Sequence, residues 1–563
     1  MNAYKKYREI LSREEGYQKK PWGNKITVCL TYPNHYRSGM SNLGFQTLYA
    51  LINSHPSFLC ERVFLPDLAY EGKRALRSSS LLSLESQKPL AVFDIIAFSV
   101  SFENDYPNIL KILDMSKITL SSRQRREEEA LVIGGGISIT LNPEPLSDFF
   151  DLFMLGEGEE AVPEFLDIFE ESRHLDLPRH ELLRRVQKEI EGAYVPGFYS
   201  VTYNTNGLIE TFEPADTSFP EIIKRRYVRD IDAFNTDQTI VTSDTEFGDM
   251  FLTETSRGCQ RGCRFCAAGF VYRPARFRRP EILEQSIAAG LKMQKKIGLL
   301  GTAVSDHPDL IAVCRSILEK QGRISIGSLR LDRLGKEMVE LLGKAGVETV
   351  SLAPEAGSQR LRDVIRKGIT ESNIFDSVEL LIEGGILNIR LYFMAGLPTE
   401  RPEDIDAIID LAKRIKYHAI KHTGGKKRFR KITLSINQFI PKPATPFQWQ
   451  GLADIKLVKK RIRRISAALR KEPSVTVTHD LPKWNYIQTL LSMGDRQVGK
   501  ILLSVHKNNG NWPHALKNVN INSDFYVYRQ RGLDEILPWD FIDHGSSKDF
   551  LIRECREAAQ TEK

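Results

Sequence analysis

The sequence predicts an α/β protein built from two successive parallel-sheet domains: a doubly wound sheet, then a partial (β/α)6 TIM-like barrel, with a small C-terminal extension. Three observations carry this reading. Short continuous apolar runs alternate with helical periodicity from residue 25 to about residue 170, the pattern of parallel strands covered on both faces. The alternation resumes at Phe251 and yields six βα units. A chain of 563 residues is also too long for one hydrophobic core.

Residues 1–24 form an N-terminal segment. In residues 25–171, strands are expected at 26–30, 63–65, 94–100, 131–133 and 151–155, with a helix over 43–52. Five such strands fit a doubly wound, flavodoxin-like domain. Residues 172–248 form a bridging segment. It holds an exposed helix over 179–190 and a hairpin over 197–213 that turns at Asn204-Thr205-Asn206-Gly207. Residues 249–471 hold the barrel, with strands at 251–254, 297–300, 323–326, 349–353, 388–393 and 432–436, and a basic amphipathic helix over 455–471. Residues 472–563, the C-terminal extension, show weaker periodicity.

Apolar residues at 41% and charged residues at 27% are ordinary for a soluble globular protein, which argues against a disordered chain. The opening MNAYKKYREI has no apolar stretch behind its charges, so no secretory signal is expected. No run of about 18 apolar residues occurs, so a cytoplasmic protein without a membrane span is expected. The net charge of +7 permits a nucleic-acid partner without arguing for one. The seven cysteines are Cys29, Cys60, Cys259, Cys263, Cys266, Cys314 and Cys555. An odd number with three inside eight positions points to metal binding in a reducing compartment, not to a disulfide framework.

Those three lie in Thr255-Ser256-Arg257-Gly258-Cys259-Gln260-Arg261-Gly262-Cys263-Arg264-Phe265-Cys266, directly after the first barrel strand. Three thiolates on one short loop can wrap three irons of a cubane and leave the fourth iron open to a chelating substrate. Zinc normally takes four protein ligands in structural sites, and no second Cys or His pair lies nearby. Gly258 and Gly262 relax the backbone for the wrap. Arg257, Arg261 and Arg264 are placed to offset the charge of a thiolate-bound cluster.

The C-x3-C-x2-C motif with Phe265 before its last cysteine resembles that of the radical S-adenosylmethionine (SAM) superfamily. The resemblance implies a [4Fe–4S] cluster on Cys259, Cys263 and Cys266. It also implies SAM chelated to the open iron and cleaved by one electron to a 5′-deoxyadenosyl radical. It implies further SAM contacts at Phe265 beside the adenine, Glu355 on the ribose and Gly396 near the adenine. Gly301 lies in the second-strand loop, where Leu300-Gly301-Thr302-Ala303 replaces the usual Gly-Gly-Glu. An electron donor such as flavodoxin or ferredoxin goes with this chemistry.

The segment from Thr31 to Gly44, which includes His35 and Gly39, resembles the start of the cobalamin (B12)-binding domains that precede some radical SAM barrels. Ser99 and Ser101, the Gly134-Gly135-Gly136 turn and Gly156 in Gly156-Glu157-Gly158-Glu159 match further positions of that family. The resemblance implies cobalamin at these strand ends. The D-x-H-x-x-G histidine that ligates cobalt in many such domains is missing. Two alternatives follow: cobalamin held without a histidine ligand, or a domain that only positions substrate. The stretches 262–279, 354–370, 437–449 and 537–543 look like one poorly characterised group of B12-binding-domain radical SAM proteins.

The implied activity is reductive cleavage of SAM, with cobalamin-dependent methyl transfer to an unactivated carbon of an unknown small-molecule or RNA substrate. Radical rearrangement or ring chemistry, RNA modification, and a non-enzymatic Fe–S and cobalamin protein are the alternatives. For RNA, the basic runs at 273–279, 426–431 and 456–464, with Tyr272, Phe277 and Phe429, are candidate phosphate and base contacts. In the last run Val458, Ile462, Ile465 and Leu469 share one helix face, so its charges also read as an ordinary solvated face.

Overall fold

The computed structural model describes residues 3–66, 81–327, 329–423 and 429–561. The chain divides into two compact units. The first holds residues 1–249, 490–523 and 534–545; the second holds 250–489, 524–533 and 546–563. The residues read from sequence as a C-terminal extension, 472–563, are thus divided between them.

The first unit is organised by β1 (Ile26–His35), β2 (Phe58–Leu65), β3 (Ile95–Ser99), β4 (Leu131–Gly135), β5 (Leu152–Met154) and β6 (Ala193–Tyr194) in the order β2-β1-β3-β4-β5-β6. The first five are parallel and β6 is an antiparallel edge. This is the flavodoxin-like order, with its topological switch point between β1 and β3. Every residue of β2 and β3 is buried, as strands covered by helices on both faces require, and in β2 this includes Glu61 and Arg62, the latter paired with Glu14 and Glu85. The helix Leu43–Ser54 begins where Asn42 accepts a hydrogen bond from the Phe45 N–H. Its Phe45, Tyr49 and Ile52 join Val28, Leu30 and Phe58 in the core.

Beyond this sheet, β7 (Tyr199–Tyr203) and β8 (Ile209–Pro214) form the expected antiparallel hairpin, and the expected helix is present as Arg179–Glu189. The Asn204 side chain accepts from the Asn206 and Leu208 N–H groups and closes the hairpin turn. A short β9 (Ile223–Lys224) pairs with a strand near the C-terminus. Arg496 binds Glu144 and Tyr194 in the interior, so it is a packing contact within this unit.

The second unit begins with β10 (Phe251–Arg257), followed by β11 (Arg276–Phe277), β12 (Lys296–Gly301) and β13 (Arg323–Ile326) in the order β11-β10-β12-β13. Then β14 (Thr349–Glu355), β15 (Asn388–Ala395), β16 (Lys431–Gln438) and β17 (Val475–His479) form a second sheet in chain order. All neighbours are parallel except β10 and β11. The six expected barrel strands are present. The seventh parallel strand, β17, was not expected because it is mostly exposed and carries no apolar run. Val458, Ile462, Ile465 and Leu469 form the buried face of the helix Ile455–Leu469, which leaves Lys456, Lys459, Lys460, Arg463 and Arg464 exposed, while Arg461 is shielded in a pair with Glu400. The last strand, β18 (Ile542–Asp543), belongs to the first unit and is the partner of β9.

Candidate active site

The first barrel strand delivers the cysteine loop. Gly258 precedes Cys259 with φ +82°, and a Cβ there would lie 2.1 Å from the Tyr272 carbonyl oxygen. Only glycine allows the loop to leave β10 at this point. Gly262 has no such requirement: a Cβ there would make ordinary contact with Arg366 at 3.4 Å. The Cys266 N–H donates to the Cys263 carbonyl at 3.0 Å and tightens the loop.

Cys259, Cys263 and Cys266 all line one cavity of about 190 Å³. Among the described residues none of them forms a disulfide. The Arg261 N–H points at the Cys259 sulfur at 3.4 Å. Burial pushes the Cys263 thiol up, and pushes Cys266 up to about 11 against the pull of the Gly269 and Ala268 N–H groups. Neutral thiols in that setting give up their protons to a metal, not to water. The donor set fits a cluster bound through three sulfurs: three convergent thiols on one loop, N–H groups aimed at sulfur, and a cavity beside them.

The other cavity walls come from the ends of later strands. Thr302, Ala303 and Ser305 follow β12, Leu329 and Arg330 follow β13, and Ala353 and Glu355 end β14. A register shift between Leu352 and Glu355 disturbs the β14–β15 ladder, and Glu355 has φ +67°. Such a bulge re-aims a side chain, and a left-handed carboxylate residue stores strain of the kind found at functional sites. The result is that Glu355 faces the cavity. Lys367 lies 3.1 Å from its carboxylate and 5.9 Å from the centre of the Phe265 ring. The cavity therefore combines three sulfurs, one aromatic face, one carboxylate and the cations Lys367, Arg330 and Arg261.

The structure thus gathers Cys259, Cys263, Cys266, Phe265 and Glu355 at one cavity. Gly301 and Gly396 are not among its lining residues. A Cβ at Gly301 would strike the Ser256 hydroxyl at 2.5 Å, so this glycine serves the packing of β12 on β10. Gly396 turns the chain after β15, and its N–H donates to both Glu400 carboxylate oxygens at 3.0 and 2.9 Å. Lys367, Arg330 and Ser305 were not singled out from sequence. Lys367 sits inside the 354–370 stretch that carried the family resemblance, and this was the one signal available for it.

The arginines of the cysteine loop also differ from expectation. Arg257 pairs with Glu254, Arg261 with Asp306 and Asp332, and Arg264 is buried against Glu554 and Glu557. Their charges are met by protein carboxylates before any cluster is considered. The basic run at 273–279 is likewise engaged: Arg278 is buried against Glu254, and Arg273 donates to the Arg261 carbonyl. Phe429 is buried and cannot stack on a base. Residues 426–428 of the second basic run lie outside the described residues.

In the first unit, the remaining expected positions lie at the C-terminal ends of the parallel strands. Ser99 ends β3, and the Ser101 hydroxyl accepts from the Asn42 side chain at 3.0 Å. Four glycines there are explained by protein packing. A Cβ would meet Phe64 at Gly39, Phe150 at Gly134, the Val100 carbonyl at Gly136 and the Arg226 carbonyl at Gly156, at 2.4, 2.8, 2.4 and 2.2 Å. Gly135 is different: a Cβ there would make only ordinary contact, with the Met154 carbonyl oxygen at 3.5 Å. Asp105 lies just beyond β3, where it accepts from the Asn34 side chain and burial pushes its carboxyl up to about 7.

Two family models match this chain: "Radical SAM proteins, N-terminal" over residues 44–196, and "Radical SAM superfamily" over residues 253–412, which includes the cysteine loop and Glu355. The chain belongs to the radical SAM superfamily. As a radical SAM enzyme it uses a [4Fe–4S] cluster and SAM. An uncharacterized protein of Methanocaldococcus jannaschii is 29% identical over 527 residues, covering 93% of this radical SAM enzyme and 98% of the relative. An uncharacterized methyltransferase of Pyrococcus horikoshii is 24% identical over 301 residues, 51% of this chain and 59% of that one. Among solved structures, the radical SAM methyltransferase TsrM from Kitasatospora setae, with cobalamin and a [4Fe–4S] cluster bound, matches with a TM-score of 0.50 at 14% identity. That match covers 95% of this enzyme and all of TsrM, and it shows that the two share a fold. Among the described residues no helix is long and apolar enough to cross a membrane.

Proposed function

We propose that this radical SAM enzyme binds cobalamin at the C-terminal edge of its first sheet and transfers a methyl group to an unactivated carbon of its substrate. The observation that carries the reading is the strand order β2-β1-β3-β4-β5, whose switch point between β1 and β3 is where doubly wound sheets bind their ligands. Ser99, which ends β3, and the Ser101 hydroxyl stand at this rim and fit a ligand laid across it. The shared fold with TsrM and the partial match to the Pyrococcus methyltransferase support the same reading.

When bound, the cluster and SAM supply one-electron reductive chemistry and an organic radical, and cobalamin supplies a transferable methyl group. The residues of this chain bind and orient. Cys259, Cys263 and Cys266 hold the cluster. Glu355 accepts hydrogen bonds from SAM hydroxyls, and Phe265 offers an apolar face. Lys367 fixes Glu355 and adds positive charge beside the thiolates. His35 is not positioned as a cobalt ligand, since its Nδ1 faces the Leu65 carbonyl at 3.4 Å. This supports the alternative in which cobalamin is held without a histidine ligand. A flavodoxin or ferredoxin is the reductant class that suits the cluster.

The test is anaerobic purification with hydroxocobalamin, followed by SAM and dithionite and mass spectrometry of the products. Stoichiometric cobalamin in the visible spectrum, with 5′-deoxyadenosine and S-adenosylhomocysteine formed together, is the expected result. A chain that yields 5′-deoxyadenosine but takes up no cobalamin would remove methyl transfer and leave the radical chemistry standing.

A further inference from the structure

The helices Glu371–Glu383 and Pro402–His422 pack against each other in the second unit. His418 and His422 are one turn apart on the second helix, so both rings leave the same face. Their ring centres are 4.3 Å apart. Glu379 of the first helix faces both: its Oε2 is 3.4 Å from His418 Nε2, and its Oε1 is 3.5 Å from His422 Nδ1. One ligand atom from each residue lies within 4.8 Å of the other two. His418 Nε2 makes no well-aligned hydrogen bond, not even to the Glu379 oxygen at 3.4 Å.

The spacing is long for good hydrogen bonds, which cluster at about 2.7–3.2 Å. It matches the edge of a coordination tetrahedron: metal–ligand bonds of about 2.0–2.1 Å place ligand atoms about 3.3 Å apart. We propose that Glu379, His418 and His422 bind one zinc-class divalent metal ion, with a remaining coordination position open to water. Two imidazoles and one carboxylate suit zinc and disfavour magnesium or calcium, which prefer all-oxygen sets. Phe375 stacks edge-on against His418 at 5.1 Å and shields one side. The three side chains are partly exposed, so an ion reaches them from solvent. None of them lines the cysteine cavity, so this site is independent of the [4Fe–4S] cluster. A bound ion ties together the two helices that flank β15 in the chain.

The experiment adds zinc to the anaerobically reconstituted full-length enzyme, removes the excess by desalting, and measures zinc and iron together by mass spectrometry. One zinc per chain beside about four irons is expected. The His418→Gln/His422→Gln double variant is expected to keep its iron and bind zinc at least tenfold more weakly, read by competition with a chromogenic chelator. Zinc can also occupy empty cysteines, so the Cys259→Ala/Cys263→Ala/Cys266→Ala variant forms a second arm and is expected to retain one zinc. No retained zinc in the wild type would overturn the proposal. So would zinc that persists undiminished in the histidine variant, or zinc lost together with the cysteines.

Discussion

The Lys367 ammonium stands 3.1 Å from the Glu355 carboxylate on the wall of the cysteine cavity. Both groups are largely shielded, so each offsets a charge that would be costly alone. The pair also holds Glu355 in its left-handed backbone conformation, with the carboxylate turned inward. Glu355→Gln keeps the shape and removes the charge. It is expected to weaken SAM binding about tenfold, the worth of one charge-assisted hydrogen bond, with iron content unchanged. Calorimetric titration of SAM into the reconstituted variant measures this; undiminished affinity would place the ribose elsewhere.

The three cavity cysteines and the other four make opposite predictions. Changing any one of Cys259, Cys263 or Cys266 to Ala should remove most of the roughly four irons per chain and the visible absorbance of the cluster. Cys314→Ala should keep both, because Cys314 is a packed residue of the helix Leu310–Glu319 and burial holds its thiol protonated. Equal iron in all four variants would move the cluster out of this cavity.

Much of this was legible in the sequence, and the reasons differ by element. Parallel strands buried on both faces announce themselves as continuous apolar runs, so β1, β3, β4, β5 and six barrel strands could be read directly, whereas only 63–65 of β2 was, because Glu61 and Arg62 interrupt its apolar run. The exposed β17 could not, because its alternation of Thr with Val marks no core. The cysteine spacing pointed to three thiols that the fold does bring to one cavity, because a short loop constrains their separation. Lys367 and Arg330 escaped because their roles depend on which strand ends meet in space. The glycines at 134, 136 and 156 matched family positions, and in the fold their missing Cβ atoms leave space that Phe150, Val100 and Arg226 approach. A glycine in a sequence says that something comes close, not what.

Glu400 makes a pH prediction. Burial lifts its carboxyl to about 7, against the pull of Arg461 and of the Gly396 and Leu397 N–H groups. The folded chain therefore keeps this proton where the unfolded chain, with an ordinary value of about 4.3, has lost it. The stabilising contribution is full below that unfolded value and is lost as pH climbs through about 7. Glu400→Gln abolishes the titration. From about pH 5 to about pH 8, wild type is expected to lose up to roughly 3 kcal/mol relative to the variant. Parallel anaerobic thermal melts check this, and a difference that does not change with pH would refute it.

Arg264 follows Cys263 in the chain, yet its guanidinium points into a buried pair with Glu554, 3.0 Å away on the helix Lys548–Gln560. It also donates to the Val364 carbonyl and binds Glu557, while Arg366 binds Glu554 from the other side. The C-terminal helix thus clamps the cysteine loop. Removing one partner of a buried pair strands the other charge and costs about 3–5 kcal/mol, whereas replacing both by apolar groups is often neutral. Glu554→Ala is therefore expected to lower the melting temperature and loosen the loop enough to lose iron. The double variant Arg264→Met/Glu554→Leu is expected to recover much of both. Thermal melts and iron content measured on the two single variants and the double variant decide it. If the losses simply add, Arg264 and Glu554 do not act as a pair, and the clamp lies in the apolar contacts of Ala558 with the cluster around Leu361 and Ile365.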